Sequence, residues 1–249
     1  MSSPRRMLAV LDVFSAEHPV WAIDDIMQAL GYARATGYRY IKDLVDAGLL
    51  QKVSAGHYAL GARIIELDHQ LRQTDPLLRA ARAPMAALAH DSGFDVVLSV
   101  WFAGPKVIDT YRVHGTQALD LSHGRGRPRP LFRSAAPKVL LAQQSRAVWL
   151  QLHQAHASDM AAAGLGEDWP AVKQQLSDIR KAGFYVSLGE LDAGIGAIAV
   201  PVRNEEGDAL AALAAVGREA AVQAQGASSL LTALRQTSQA IEQRLKRSP

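Results

Sequence analysis

The sequence predicts an α+β protein made of two parts, a small helical unit that ends in a β-hairpin and a larger mixed domain. Three observations lead to this prediction. Apolar residues recur at helical spacing between residues 5 and 47. Two short β-rich segments follow, and a three-residue turn separates them. From Asp95 onward, β-rich and helical segments alternate. We therefore expect three regions, 1–61, a connecting helix over 62–74, and 75–249.

The first unit is predicted to hold three helices and a hairpin. His18-Pro19 breaks the first helix, and Asp24 is expected to cap the second, which Gly31 ends. The turn Ser54-Ala55-Gly56 joins the two strands of the hairpin. The predicted helices span Arg5–Ser15, Asp25–Leu30 and Ala33–Ala47, and the predicted strands span Leu49–Val53 and His57–Leu60.

The second part is predicted to begin with a helix at Asp75-Pro76 that Gly93 ends. A loop rich in Gly, Pro and Arg spans His123–Pro130. The turn Asn204–Gly207 joins two strands in a hairpin. Predicted strands are 95–102, 106–113, 184–186, 195–202 and 209–216, and further helices are 135–144, 146–155, 171–182 and 227–247.

Composition excludes several classes of function. The chain has 249 residues, of which 49% are hydrophobic and 20% are charged, as in soluble globular proteins. It has no cysteine, which excludes disulfides, thiolate metal sites and cysteine nucleophiles. There is no apolar run of about 18 residues, and the start MSSPRRM lacks the apolar core of a signal peptide. We expect a cytoplasmic protein that does not bind membranes.

Two short helices, a turn, a third helix and a hairpin form a winged helix-turn-helix, whose third helix enters the major groove of DNA. Arg34 or Arg39 could pair with a guanine edge, and Thr36 and Tyr38 could contact a phosphate or a thymine methyl group. The predicted DNA-binding residues are Arg34, Thr36, Tyr38, Arg39 and Lys42 on the third helix, Arg5 and Arg6 on the first, and Lys52 with His57 on the hairpin.

Charge alone does not decide this function. The chain has a net charge of +3, but residues 1–74 hold eight Lys or Arg and eight Asp or Glu. DNA binding therefore requires these charges to be sorted onto different faces of the unit. The alternatives are a solvated helix face and a module that binds another protein.

A family resemblance favours DNA. The segment IDDIMQALGYARATGYRYIKDLVDAGLLQKVSAGHYALGARIIEL resembles the DNA-binding domain of the IclR-type transcriptional regulators. Ala35-Thr36 and Tyr38-Arg39 stand at the family's "ST" and "hR" positions, and Tyr58–Gly61 matches the end of its wing. Ala35 departs from the usual serine, so one hydroxyl that would bind phosphate is missing.

The resemblance continues through most of the chain. HGRGRPRPLFRSAAPKVLLA and GFYVSLGELDAGIGAIAVPVRNEEGDALAALAAVG are similar to two ordered motifs of the family's C-terminal domain, although Pro137 replaces a usual glycine. The resemblance implies a mixed α/β, GAF-like domain that senses a small ligand. The implied partners are a double-stranded DNA operator, often of a catabolic operon, and a small organic acid as effector.

The expected effector site combines a helix start with strand residues. Ser134 is expected to cap a helix and leave the amides of Ala135 and Ala136 free for a carboxylate. The family's other pocket positions are small and mostly apolar here, which favours a larger acid, more specifically an aromatic one. They are Ser187, Ala197, Ala214 and Val216. The alternative is an ordinary capped core helix.

No motif points to catalysis, a cofactor or a metal. The chain has no G-x-S-x-G and no phosphate-binding P-loop. The run from Gly194 to Ala199 lacks the strand and helix that a dinucleotide fingerprint needs, and His153-x-x-His156 lacks further ligands. Arg125–Pro128 matches an AT-hook core but lies before an apolar segment. Glu190 and Asp192 could act as a carboxylate pair, but the polarity of a turn explains them equally well.

Dimerisation is expected because one helix-turn-helix unit makes few contacts with DNA. In the connecting helix Ala62–Gln73, Ile64, Leu67 and Leu71 form an apolar stripe, and IclR-type proteins pair through this region. We expect a homodimer or a dimer of dimers; the alternative is that the stripe packs on its own domain. Two competing classes are an enzyme or metabolite-binding module whose N-terminal unit contacts protein, and a sequence-indifferent DNA binder.

Overall fold

The computed structural model describes residues 2–102, 104–224 and 227–247. The chain divides into two compact units, of which the first ends at Asp75 and the second begins at Pro76. Among the described residues, no helix has the length and apolar character needed to cross a membrane.

Within its described residues, the first unit contains four α-helices, a 3₁₀ turn and a small antiparallel sheet. Its core is made by Val10, Ile26, Ile41, Leu44 and Leu50, each at most 1% exposed. The sheet order is β1-β3-β2, with Trp21 opposite Tyr58. The elements are α1 (Ser3–Leu8), a 3₁₀ turn (Ala9–Val13), β1 (Trp21–Ala22), α2 (Ile23–Leu30), α3 (Arg34–Asp46), β2 (Leu50–Ser54), β3 (His57–Leu60) and α4 (Arg63–Thr74).

Helices α2 and α3 approach closely because Gly37 has no side chain. A Cβ atom at Gly37 would lie 2.5 Å from the Cγ of Met27, a separation that packed atoms do not tolerate. Gly31 has φ +64° and ends α2 in the left-handed conformation, as expected. The expected cap at Asp24 is wrong: α2 begins at Ile23, so Asp24 lies in its first turn and Ala22 precedes the helix.

The second unit is a six-stranded antiparallel sheet covered by helices on both faces. Its order is β6-β5-β4-β9-β8-β7. The strands are β4 (Asp95–Phe102), β5 (Lys106–Val113), β6 (Pro128–Arg129), β7 (Tyr185–Leu188), β8 (Ile195–Arg203) and β9 (Ala209–Arg218), and the helices are α5 (Pro76–Ser92), α6 (Ala135–Ala142), α7 (Arg146–Ala162), α8 (Trp169–Ala182), α9 (Glu219–Ala224) and α10 (Ala227–Lys246).

Strands β8 and β9 are buried on both faces because their side chains alternate between two cores. Ala197 and Ala199 pack with α6, α7 and α8. Ile198 and Val200 pack with α5 and α10 on the opposite face. The period of two along a strand explains this division, and the near-continuous apolar runs in these strands are what two covered faces require.

Several boundaries differ from the sequence prediction. Helix α7 continues to Ala162, but His156 has a non-helical φ of −142°, which explains why the helical pattern ended at Ala155. The first helical segment stops at Val13 rather than Ser15. The expected loop 123–130 contains β6, which pairs with β5. The two-residue strands β1 and β6 and the short helix α9 are too short to produce a periodic pattern.

Candidate functional site

The outward face of α3 carries the cationic and hydroxyl side chains that were expected to contact DNA. Arg34, Tyr38, Arg39 and Lys42 are exposed, and Thr36 is half-buried. The opposite side holds α3 in the core, where Tyr40 is buried and its hydroxyl lies 3.0 Å from the Oγ of Ser3. Because one face of α3 is buried in the core, the opposite face is the one that is available to contact DNA.

Helix α3 and the hairpin border a shared open groove of about 430 Å³. From α3, Tyr38, Arg39 and Lys42 line it, and Lys52 and Tyr58 line it from the hairpin. Lys52 and Tyr58 are register partners on β2 and β3. The groove therefore carries three cations that the sequence predicts on two separate elements. His57 is exposed, and its ring Nδ1 lies 3.0 Å from the carbonyl oxygen of Ala55.

The remaining predicted cations have weak or local partners. Arg34 lies 3.4 Å from Asp24, and both side chains are largely exposed. Such a pair contributes little stability, so a phosphate could replace the carboxylate. The guanidinium of Arg6 lies 4.4 Å from the centre of the Tyr32 ring, and Tyr32 donates a hydrogen bond to the Arg6 carbonyl. Arg5 is exposed.

In the second unit, four of the seven residues expected at an effector site border one small cavity, here called the Ser134 cavity. Ser187, Ala197 and Val216 come from three neighbouring strands and are register partners in turn. Ser134 precedes α6 and closes the side of the cavity. The volume of the Ser134 cavity is about 20 Å³, which is room for about one water molecule.

Ser134 does not cap α6 with its side chain, so that expectation is wrong. Its φ is +74° and its ψ is 163°, a region that residues other than glycine rarely occupy. The Ser134 N–H donates to Oε2 of Glu190 at 2.9 Å, and the Arg129 guanidinium donates to Oγ of Ser134 at 3.2 Å. The start of α6 therefore already holds a carboxylate from the protein itself.

Glu190 accepts from three donors, of which two lie in the first part of α6 and its cap and one lies on β7. Besides the Ser134 amide, these are the ammonium of Lys138 at 2.9 Å and the hydroxyl of Tyr185 at 2.8 Å. Lys138 is 1% exposed and also donates to the carbonyl of Ala163 at 2.8 Å. Burial and the neighbouring Glu190 carboxylate raise the pKa of Tyr185, which keeps its hydroxyl protonated as a donor.

Arg129 forms the other polar wall of the Ser134 cavity. Its side chain is 9% exposed and donates to Asp109 at 2.8 Å, and Asp109 accepts from Ser99 at 2.6 Å. Its Nε is buried and has no hydrogen-bond partner within the described ranges. His123 also borders the cavity, and burial together with the Arg129 charge lowers its pKa, which favours a neutral ring.

The other expected effector residues lie beside the cavity and do not line it. Ala135 and Ala136 are the first residues of α6 and are buried in the core next to the sheet. Ala214 is 3% exposed in β9, opposite Ala199. These three residues shape the packing around the cavity.

The two motifs that the sequence analysis set aside, Arg125–Pro128 and His153-x-x-His156, make contacts with nearby residues of the second unit. Arg125 donates to the carbonyl of Thr110 and Arg127 to that of Ser122. His153 packs on Trp169, and His156 lies 3.4 Å from Asp159. Across the part of the chain that the structure describes, no three His, Asp or Glu side chains gather in a way that could hold a metal ion.

Family models match both units. The model of the IclR helix-turn-helix domain matches residues 3–54, and the model of the bacterial transcriptional regulator IclR C-terminal domain matches residues 69–243. The chain belongs to the IclR family of transcriptional regulators. As an IclR-family regulator it binds DNA through its helix-turn-helix unit and carries an effector-binding domain. The matched families and curated relatives are transcriptional regulators and not enzymes.

Individual relatives extend over most of the chain. The regulator XynR of Escherichia coli is 25% identical over 86% of this chain and 84% of its own length. The acetate operon repressor of Salmonella typhimurium is 26% identical over 87% of this chain and 80% of its own. A crystal structure of an IclR homologue from Microbacterium hydrocarbonoxydans, complexed with 4-hydroxybenzoate, has the same fold, with a TM-score of 0.73 and 24% identity over 99% of this chain and 100% of that one.

Sequence reasoning about this IclR-family regulator missed the polar half of the Ser134 cavity. The sequence predicts a loop at Arg129 and leaves Glu190 open between a carboxylate pair and ordinary turn polarity. One signal was available: Lys138 is the single charged residue in the helix AAPKVLLA, all of which is buried. A lysine is almost never fully buried without a partner. Its position therefore required an acidic partner elsewhere in the chain, although the pattern could not say which one.

We predict that Lys138→Met destabilises the protein by about 1.5–3 kcal/mol, because Glu190 loses its buried ammonium partner. Urea unfolding of the full chain followed by tryptophan fluorescence measures this loss. Lys181→Met is the control, since Lys181 is exposed on α8 and its loss should cost less than about 0.5 kcal/mol. Equal losses from the two variants would contradict a structural role for the Lys138–Glu190 pair.

Proposed function

We propose that this IclR-family regulator recognises a specific operator as a homodimer and that a small organic acid, more specifically an aromatic one, controls its affinity for that operator. The cationic outward face of α3 and the groove that it shares with the hairpin carry the DNA-binding part of the proposal. The Ser134 cavity supports the acid-binding part. The regulated genes are those of a catabolic operon, since such an acid is a nutrient or a breakdown product.

The distribution of polar groups on α3 supports specific rather than indiscriminate binding. Arg39 and Lys42 flank the groove, and Lys52 faces them from the hairpin. A guanidinium can form two hydrogen bonds with one guanine edge, whereas an ammonium acts on phosphate as a point charge. We assign Arg39 and Arg34 to base edges, and Arg5, Arg6, Lys42 and Lys52 to the backbone of the duplex. Thr36 and Tyr38 contact a phosphate or a thymine methyl group.

The exposed apolar side chains of α4 support dimerisation. Leu67 is 41% exposed and Leu71 is 53% exposed, and no residue of α4 is buried. Ile64, Leu67 and Leu71 recur at a spacing that places them on one helix face. A contiguous exposed apolar face marks an interaction surface. Dimers place two copies of α3 in successive major grooves, and a dimer of dimers would add a second operator contact.

The lining of the Ser134 cavity supports an aromatic acid over an oxoacid of two or three carbons. The strand floor is made by Ala197, Val216 and Ser187, which leave an apolar surface with one hydroxyl. Arg129 and the start of α6 supply donors for a carboxylate. The 4-hydroxybenzoate complex of the Microbacterium homologue is a further support.

Linkage connects the two sites. An acid that binds one arrangement of the dimer more tightly than another shifts the population towards that arrangement and changes operator affinity. A tenfold change requires about 1.4 kcal/mol of differential binding. Repression and activation are both outcomes of the same linkage, depending on which arrangement the acid prefers.

We predict that Arg39→Ala weakens operator binding by about 1–3 kcal/mol while binding to a scrambled duplex changes little. Fluorescence anisotropy with DNA from upstream of the protein's own gene, titrated at several salt concentrations, measures both affinities. Lys106→Ala removes an exposed charge at the start of β5 and serves as the control. An equal, salt-sensitive loss on every sequence would assign Arg39 to phosphate and favour an indiscriminate DNA binder.

We predict that the double variant Leu67→Glu, Leu71→Glu shifts the protein from dimer to monomer, because charge at an apolar interface is costly. Sedimentation equilibrium distinguishes the two states for a chain of 26.8 kDa. His69→Glu changes the opposite face of α4 and should leave the dimer intact. A dimer that persists with both leucines replaced would place the interface elsewhere.

We predict that calorimetry with benzoate, 4-hydroxybenzoate, pyruvate and glyoxylate shows tighter binding of the two aromatic acids. The physical reason is that a ring and the apolar strand floor of the Ser134 cavity would bury apolar surface against each other, which lowers the free energy of binding. Preferential binding of glyoxylate or pyruvate would contradict the aromatic assignment. Failure of all four acids to bind would contradict the acid-binding function itself.

A further inference from the structure

The carboxylate of Glu190 occupies the position that an effector carboxylate would be expected to take. It accepts from the Ser134 amide and from the Lys138 ammonium, each at 2.9 Å. A helix start and a buried cation are the donors that bind carboxylates most strongly. The protein therefore already fills its own anion position at the start of α6.

The Ser134 cavity is closed by the same segment that supplies this carboxylate. Glu190, Leu191 and Asp192 line the cavity and belong to the turn of residues 189–194 between β7 and β8, here called the 189–194 turn. With a volume of about 20 Å³, the cavity cannot admit a ring. An aromatic acid can enter only if part of the lining moves.

The 189–194 turn is a part of the lining that belongs to no helix or strand. Glycines stand at both its ends, with φ values of +63° at Gly189 and +75° at Gly194, a region open to glycine without strain. The Glu190 side chain is 21% exposed, so a rotation outward returns its carboxylate to water. The strand residues of the floor, in contrast, are held by ladder hydrogen bonds and by two packed faces.

A second, independent feature of the same cavity is a buried guanidinium. The Arg129 side chain lines the cavity, is 9% exposed, and its buried Nε has no partner among the described residues. A buried donor without an acceptor carries an uncompensated desolvation cost. An acid whose carboxylate enters between Arg129 and the start of α6 would lie beside the Arg129 guanidinium, a charge-assisted donor for carboxylates.

We propose that Glu190 is a built-in substitute for the effector carboxylate, which an incoming acid must displace from Ser134 and Lys138; this inference rests on the proposed acid-binding function. The exchange replaces one carboxylate by another, so the charge opposite Lys138 is conserved. A neutral analogue of the same shape cannot conserve it. Glu190 thereby restricts the sensor to acids and sets the concentration at which it responds.

Glu190→Gln tests the displacement, because the amide keeps the shape of the side chain and removes its charge. Calorimetry is performed with the four acids named above and with benzamide as the neutral analogue. We expect affinity for the acids that the wild type binds to rise at least about tenfold, since a neutral amide holds Lys138 less strongly than a carboxylate. Affinity for benzamide should rise too, because in this variant the neutral analogue no longer has to displace a carboxylate from Lys138.

Glu206→Gln is the matched control, because it removes the same charge from an exposed residue of the turn between β8 and β9 that does not line the cavity. Its effect on acid affinity should stay within about twofold. If the wild type binds an acid and Glu190→Gln binds it no more tightly, the displacement is refuted while the proposed function stands. An equal gain in both variants also refutes it, since general charge would explain the change.

A measurement on the wild type keeps the test independent of the stability of Glu190→Gln. In a crystal of the wild type grown with benzoate, the benzoate carboxylate should accept from the Ser134 amide, and Glu190 should have turned outward. Benzoate bound with Glu190 still on the Ser134 amide would overturn the inference. If none of the four acids binds either the wild type or Glu190→Gln, the proposed acid-binding function fails, and the inference fails with it.

Discussion

The second unit depends on the charge of Lys138, which lies in the middle of a helix whose eight residues are all buried. An ammonium in such a place is tolerated only with a full set of acceptors. Glu190, Tyr185 and the carbonyl of Ala163 provide that set, and they come from three separate segments. Because the Lys138 ammonium pairs with Glu190, the 189–194 turn packs against the start of α6. It also holds Ser134 in a backbone conformation that its own side chain disfavours.

The sheet makes this arrangement possible because it is covered on both faces by closely packed helices. Strand β9 reads ALAALAAVGR and half of its residues are alanine, so α6 and α10 can approach it from opposite sides. Small side chains leave little volume between the layers, and the Ser134 cavity is correspondingly small. A ligand site in such a domain has to be opened by a connection between elements, because the layers themselves are fixed by packing. The 189–194 turn is a connection of this kind.

The two functional regions of this IclR-family regulator follow opposite physical rules. The cations around α3 are exposed and weakly paired, and long, hydrated side chains of this kind can exchange water or a surface carboxylate for phosphate at little cost. The charges around the Ser134 cavity are buried and strongly paired, so each change of partner there carries a large free-energy difference. The first region is suited to binding a polyanion, and the second is the region in which we propose that small molecules are discriminated by charge.

The sequence by itself determined the order of the longer elements and the exposed face of α3. Both follow from local periodicity, since a helix or strand with one buried side repeats its apolar residues every 3.6 or 2 positions. The family assignment also followed from ordered local motifs. Only the tertiary structure decided that Glu190 meets Ser134, 56 residues earlier in the chain, and that Arg129 enters the cavity on a two-residue strand. These partners depend on how distant strands pair in register, and no local spacing encodes that. A buried lysine requires an acidic partner, but only the tertiary structure shows which carboxylate that partner is.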